Sequence, residues 1–372
     1  MSSGDLFATA AANARKPAFI AALERCAALD APSASLSRFM ALHPRDQMLT
    51  HSLAEHRHAD IALSQYFAIG IQQYRMLAQV IDACFPGAKD DIRVLDFACG
   101  FGRLLRLLRC GFPGMDICAS EVQRDALDFC AEQFGVTAIP SAFDPDAFQP
   151  GRSFDVIWVA SLFSHLPQGL FEDWLRVLLS CLAGNGVLCF SARAMPAAAA
   201  ESAAPLLYSV DSENPELGAE HYGTTYVDPD WVRGLVENRF GGGMKMHYMP
   251  RALANEQDLY LCSRRTLDAL PEKGPWGWLD IRKRDAAGLV HLEGWAADLD
   301  TLHPARVEIH ADGMTVDIVP SIERPDVMAV FGDASLAKCG WRAEQRIEAN
   351  HVELFSVSAK GRRNLIYAGA ID

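Results

Sequence analysis

The chain has 372 residues, 47 acidic against 34 basic side chains and half of its residues apolar, for a formal charge of −13. No apolar run reaches the ~20 residues of a membrane-spanning helix, the chain is too hydrophobic for a disordered polymer, and its charge balance is not that of a typical nucleic-acid binder. At ~100–200 residues per domain the length implies two or three domains, each with its own core.

The first ninety residues read as a helical extension. Ile71, Tyr74, Leu77, Ile81 and Cys84 recur at steps of three and four, and Pro86-Gly87 ends the run. The N-terminus carries Asp5 and only small residues from Ala8 to Ala12, with no apolar segment ahead of a cleavage site, so the expected location is the cytoplasm. The ten cysteines form no C-x-x-C pair and sit mostly inside apolar runs, as reduced core residues do. His51, His56 and His58 with Glu55 and Asp60 invite a metal reading, but His56 and His58 diverge on a helix and no cysteine supports them. No metal is expected.

From Arg93 apolar strands alternate with amphipathic helices, which implies a parallel sheet over residues 91–265. A strand from Arg93 to Phe97 leads through a glycine turn to a helix carrying Leu104, Leu105, Leu107 and Leu108, beside which Arg103, Arg106 and Arg109 read as the solvent face. Met115 to Ser120 follows as strand, Val122, Ala126, Phe129 and Cys130 as a helix face, and Phe154 to Ala160 as a buried strand. A helix with Phe171, Leu175, Leu178, Leu179 and Leu182 turns at Gly184-Asn185-Gly186 into the strand Val187 to Ala192. Ala194 to Gly218 is either a mobile lid or an ordered insertion. A helix near Trp231 to Phe240 and strands near Met244 to Tyr248 and Asp258 to Cys262 finish the sheet.

Beyond Pro271 helical periodicity gives way to short alternating runs: Gly288 to Trp295, Arg306 to His310, Met314 to Val319, Val352 to Ser358 and Leu365 to Ala370. Asp312-Gly313 between two of them is a hairpin signal. A β-sandwich is therefore expected over 272–372. Trp295 and Trp341 lie inside its strand patterns and read as core rather than as a sugar platform.

The stretch Val94-Leu-Asp-Phe-Ala-Cys-Gly-Phe-Gly-Arg103 ends its strand in Asp96 and puts Gly100 and Gly102 in the turn, where a ligand can approach the backbone. A dinucleotide fingerprint needs Gly or Ala three residues after Gly102, but position 105 is Leu, which disfavours NAD and FAD. Glu121, twenty-five residues after Asp96, ends the second strand, where a carboxylate accepts bonds from both hydroxyls of a ribose without meeting a phosphate. The ligand reads as a nucleoside lacking phosphates. Asp96 would orient its amino group, directly or through water, and Asp144 would bond an adenine amino group.

In these residues the chain resembles the class I S-adenosylmethionine-dependent methyltransferases, whose first motif is an acid followed by a Gly-x-Gly turn and whose second strand ends in a ribose-binding acid. The resemblance covers roughly Asp91 to Ser263. It implies a doubly wound, seven-stranded Rossmann-like sheet with a helical N-terminal extension and a C-terminal all-β sandwich. It also implies S-adenosyl-L-methionine as cofactor, with Asp96, Ala98, Gly100 and Gly102 at its methionine end, Glu121 at the ribose and Phe143 with Asp144 or Asp146 at the adenine. Ala98 stands where the family usually has glycine. A narrower resemblance is to bacterial methyltransferase-like proteins of surface-polysaccharide clusters, through His43-Pro-Arg-Asp46, Tyr66-Phe-x-x-Gly70, Ser161-Leu-Phe-Ser-His-Leu166 and Thr225-Tyr-Val-x-Pro-x-Trp231. The end of the chain resembles a β-sandwich module attached to glycosyltransferases and methyltransferases, through Gly294-Trp-Ala-Ala-Asp298, Arg324-Pro-Asp-Val327 and Gly340-Trp341.

Methyl transfer from a sulfonium is an in-line displacement in which positioning is worth up to ~7–11 kcal/mol. A hydroxyl acceptor still gains from a general base, and His165, after the fourth strand, is the candidate, with packing at the helix entry as its alternative role. Ser161 shares that strand end, toward the cofactor or satisfying backbone groups. Tyr66 and Gly70 either cover the cofactor from the helical extension or belong to the core. His221, Tyr222 and Tyr226 lie in the segment expected to cover the acceptor side, or form an ordinary surface loop. The expected activity is S-adenosylmethionine-dependent O-methylation of a glycan-related or other small acceptor, with no nucleic-acid partner. The rivals are a non-catalytic scaffold that binds a glycan or partner enzyme and, last, a nucleotide-sugar enzyme.

Overall fold

The computed structural model describes residues 3–27, 36–196, 204–212, 214, 217–267 and 269–371. They divide into two compact units, Met1–Arg75 together with Glu272–Asp372, and Met76–Pro271. This division cuts across the boundaries read from the sequence, because the helices before residue 76 and the strands after residue 271 share one unit.

In the first unit the helices are α1 (Ser3–Ala14), α2 (Pro17–Ala27), α3 (Gln47–His56) and the first part of α4 (Ala59–Cys84). Asp46 caps α3 by accepting the N–H groups of Met48 and Leu49, which supplies partners that the first turn of a helix lacks. The strands are β10 (Pro275–Arg284), β11 (Leu289–Asp298), β12 (His303–Pro304), β13 (Arg306–Ala311), β14 (Met314–Ile318), β15 (Gly340–Arg346), β16 (His351–Val357) and β17 (Arg363–Ala370), with a short helix over Pro325–Phe331. They form two four-stranded antiparallel sheets, β10-β11-β12 with β15 beside β11, and β14-β13-β16-β17. One core joins their inner faces, with Leu292 and Trp341 from the first sheet and Ile309, Leu354 and Tyr367 from the second. Asp312 and Gly313 have φ of +52° and +74° and turn β13 into β14, the geometry a two-residue hairpin demands. The helices are tied to these strands by polar bonds as well as packing. Asp60 accepts the N–H of Ala370 at 2.9 Å, Ser64 Oγ accepts that of Ala368 at 3.0 Å, and Arg25 pairs with Glu353.

The second unit is an α/β sheet: β1 (Arg93–Phe97), β2 (Asp116–Glu121), β3 (Thr137–Pro140), β4 (Phe154–Val159), β5 (Leu182–Ala194), β8 (Lys245–Leu253) and β9 (Gln257–Ser263). The order β3-β2-β1-β4-β5 is parallel, β9 adds antiparallel to β5, and β8, antiparallel to β9, completes seven strands. A hairpin of β6 (Leu206–Ser209) and β7 (Thr224–Val227) joins the end of β5 at Arg193 and Ala194 and makes nine strands in all. This hairpin was not expected. It gives order to both ends of the Ala194–Gly218 segment, of which residues 197–203, 213, 215 and 216 lie outside the described residues. Helices α5 (Leu105–Gly111), α6 (Arg124–Phe134), α7 (Gln168–Ser180) and α8 (Pro229–Gly234) connect the strands. One sheet face, with Leu95, Phe97, Val159 and Phe190, packs on Phe171, Trp174, Leu175 and Leu178 of α7. Among the described residues no helix is long and apolar enough to cross a membrane.

Candidate functional site

The carboxyl ends of β1, β2 and β4 converge where an open α/β sheet receives its ligands. Asp96, next to last in β1, is 4% exposed, and its Oδ2 has no hydrogen-bond partner. Burial and then the negative charge of Glu121 push its carboxyl up to about 8, against the lowering effect of Arg103. Ala98 and Gly100 follow in left-handed conformation, with φ of +57° and +52°, and beside the Gly100 Cα a side chain would meet nothing within 4 Å. The open flank of the turn is therefore at Gly100. At Gly102, with φ of +76°, a Cβ would run into the Phe134 ring of α6 and lie 3.1 Å from Cys130 Sγ. Gly102 thus serves close packing of turn on helix, not the ligand approach expected of it.

Glu121, 8% exposed, holds this turn in place. Its Oε2 accepts the Gly100 N–H at 2.9 Å, and its Oε1 accepts the N–H groups of Val122 and Gln123 at 2.8 and 3.2 Å. Burial raises its carboxyl and these three N–H groups lower it, with a net rise. A carboxylate carries about four lone-pair sites, so acceptor capacity for one further donor remains on Oε2. Arg106 braces the turn from beneath. Fully buried, it donates to the carbonyls of Gly102 and Phe101 at 3.2 and 3.4 Å, with its guanidinium 5.3 Å from the Phe134 ring. That corrects the solvent-face reading for Arg106. An arginine's alkyl stem spaced with leucines looks amphipathic, and only the fold shows that its guanidinium reaches two carbonyls of the turn before the helix.

Past β3, Phe143 is 43% exposed and stacks on His221 at 4.7 Å and 25°. Asp144 caps the turn Pro145–Ala147 by accepting the Asp146 N–H at 3.0 Å, and Asp146 pairs with Arg176 at 2.8 Å.

At the end of β4, Ser161 has φ of +66°, a conformation costing about 1–3 kcal/mol for a non-glycine residue. Its N–H donates to Ser191 Oγ at 2.8 Å, and Ser191 Oγ donates to Gln257 Oε1 at 2.6 Å. Gln257 Nε2 lies 3.1 Å from Ser161 Oγ, which closes the network. Ser191 and Gln257 escaped the sequence reading. The available signal was a polar residue opening a hydrophobic antiparallel strand beside the carboxyl end of β5.

His165 departs from its expected role. It is 2% exposed, its Nδ1 lies 2.7 Å from the Gly223 carbonyl, and its ring stacks on Tyr222 at 4.3 Å and 12°. The Gly223 N–H returns to the His165 carbonyl at 2.8 Å. The residue ties the loop after β4 to the segment leading into β7, and the packing alternative describes it better than the base. His221 and Tyr222, read as an ordinary loop, each belong to a ring stack, while Tyr226 lies in β7. Tyr66 and Gly70 lie on α4 in the first unit, where the Tyr66 hydroxyl donates to Asp46 at 2.7 Å.

Residues 69–233 match the family model of a methyltransferase domain. A comparison with proteins of curated function finds no match. Among solved structures, the chain is similar to an amino pentose methyltransferase from Micromonospora echinaspora involved in calicheamicin biosynthesis, at 16% identity and a TM-score of 0.38 over 51% of this chain and 89% of that one. It is similar to a sugar N-methyltransferase from Streptoalloteichus at 16% identity and a TM-score of 0.39, over 52% and 87%. An O-methyltransferase family protein from Burkholderia thailandensis gives 16% and 0.37, over 59% and 64%.

Proposed function

We propose that the methyltransferase domain at residues 69–233 carries a methyl group from S-adenosylmethionine to a hydroxyl of a glycan-related or other small acceptor. The observation that carries the cofactor is the buried, unpartnered Asp96 Oδ2 beside the open flank of Gly100 and the Glu121 carboxylate. Bound here, S-adenosylmethionine supplies a methyl group activated by the positive sulfonium. Asp96 would hold the ammonium of its methionine end, Glu121 the ribose hydroxyls, and Phe143 with Asp144 the adenine. The turn offers a helix and backbone already committed to one another, so little is spent on ordering the site.

The acceptor class is supported by the Ser161–Ser191–Gln257 network, which puts hydroxyl and amide groups rather than a purely apolar wall at the end of β4. Such groups suit a ligand rich in hydroxyls. In-line transfer needs chiefly that the acceptor be held, so the engagement of His165 elsewhere is compatible with turnover. The same engagement favours the second reading, a non-catalytic scaffold that keeps the fold and binds a glycan or partner enzyme.

The test has two steps. Calorimetry with S-adenosylmethionine and S-adenosylhomocysteine establishes cofactor binding. Transfer of label from methyl-labelled S-adenosylmethionine to a panel of sugars, nucleotide sugars and glycan fragments then establishes the acceptor. Binding with no labelled product across the panel favours the scaffold, and no cofactor binding by folded protein refutes the enzyme reading and leaves the scaffold.

A further inference from the structure

Two buried polar atoms on neighbouring strands lack hydrogen-bond partners: Oδ2 of Asp96 in β1 and the indole Nε1 of Trp158 in β4. The residues are 4% and 1% exposed. In the parallel register Asp96 pairs with Trp158, so both side chains leave the same face of the sheet from strands about 4.8 Å apart. Their other neighbours in register, Ala119 on β2 and Cys189 on β5, offer no strong donor or acceptor. Once ionised, as a bound ammonium would hold it, the Asp96 carboxylate only accepts, whereas an indole N–H only donates, so the two groups are then of opposite kind. Folds rarely leave such groups buried and unpaired unless a ligand or water completes them.

We infer that Trp158 is a further cofactor-binding residue, whose indole N–H receives the carboxylate of the methionine end while the Asp96 carboxylate receives its ammonium. One donor and one acceptor in register on adjacent strands would then read the amino-acid end of the cofactor as a zwitterion. The inference rests on the reading of the site as one for S-adenosylmethionine.

Trp158→Phe keeps an aromatic ring in the core but removes the N–H together with the five-membered ring. Calorimetry on wild type and variant with S-adenosylhomocysteine and with 5′-methylthioadenosine, which has the nucleoside and the thioether but no amino acid, separates the possibilities. The variant is expected to bind S-adenosylhomocysteine about tenfold more weakly, as loss of a hydrogen bond to a charged group implies, and 5′-methylthioadenosine unchanged. Equal weakening of both ligands, or of neither, overturns the role of Trp158. Failure of wild type to bind either ligand refutes the cofactor reading itself. Nitrogen-15 spectra of the seven tryptophan indoles need no variant: a buried indole resonance should shift with S-adenosylhomocysteine and stay in place with 5′-methylthioadenosine. Saturating S-adenosylhomocysteine that moves no indole resonance beyond what 5′-methylthioadenosine moves overturns the proposal.

Discussion

The carboxylate of Glu121, at the end of β2, accepts the backbone N–H of Gly100 at 2.9 Å, so the residue expected to hold the ribose also fixes the turn expected to meet the methionine end. Removing the side chain therefore removes more than a ligand contact. Glu121→Ala leaves the N–H groups of Gly100, Val122 and Gln123 without their acceptor, at about 1–3 kcal/mol for each that stays buried and unpaired. We expect a lower Tm in the absence of ligand and at least tenfold weaker cofactor binding. Thermal melts and calorimetry on the same preparation measure both. Weakened binding with an unchanged melting curve would show that the turn does not depend on Glu121.

Gly100 and Gly102 separate by function. Gly102→Ala puts a methyl group against Phe134 and Cys130 in a left-handed position, and overpacking of this kind costs about 1–3 kcal/mol before backbone strain is counted. Gly100→Ala meets open space and carries only the strain of its positive φ, but its methyl group occupies the flank proposed for the cofactor. The expected result is a stability defect at 102 and a binding defect with a nearly normal Tm at 100.

Asp96 predicts how stability and binding vary with pH. Its carboxyl is pushed up to about 8 in the folded chain against an ordinary value of 3.8. A raised folded value means that the folded state holds the proton longer than the unfolded chain, so this contribution to stability is complete below pH ~4 and is lost as pH rises toward 8. Binding of a cationic ammonium favours the ionised carboxylate, so cofactor affinity rises over the same window and protons are released. Calorimetry in buffers of different ionisation enthalpy reads that release, and Asp96→Asn should abolish it.

His165 is expected to act through structure. His165→Ala loses the bond to the Gly223 carbonyl and the stack on Tyr222, and we expect a lower Tm together with a raised acceptor KM as the segment before β7 loosens. Once an acceptor is known, the pH profile of kcat/KM for His165→Asn should keep the shape of the wild type. A limb lost in that variant would make His165 the base.

In the first unit, Asp60→Ala strips the acceptor from the Ala370 N–H, and Gly369→Ala places a methyl group about 2.5 Å from the Asp60 Cβ. Each should lower the Tm of the C-terminal strands by destabilising their union with α4, read by hydrogen exchange of β16 and β17.

Local pattern was sufficient for the parallel sheet. Period-two and period-3.6 runs placed β1, β2, β4 and β5 and their helices, and with them the positions of Asp96 and Glu121 at the carboxyl ends of β1 and β2 and of Gly100 in the turn between. The Asp312-Gly313 hairpin was legible because both positions need positive φ. What sequence alone left open depended on partners distant in the chain. Arg106 is buried because two turn carbonyls lie above it, Gly102 is a packing residue because α6 comes within reach, and His165 is engaged because Gly223 arrives 58 residues later. Asp60 reaches across 310 residues to Ala370, which puts the N-terminal helices and C-terminal strands in one unit. Periodicity reports which face of an element is buried. Which residues meet there, and so which polar groups are satisfied and which remain open for a ligand, is decided by contacts that local pattern does not encode.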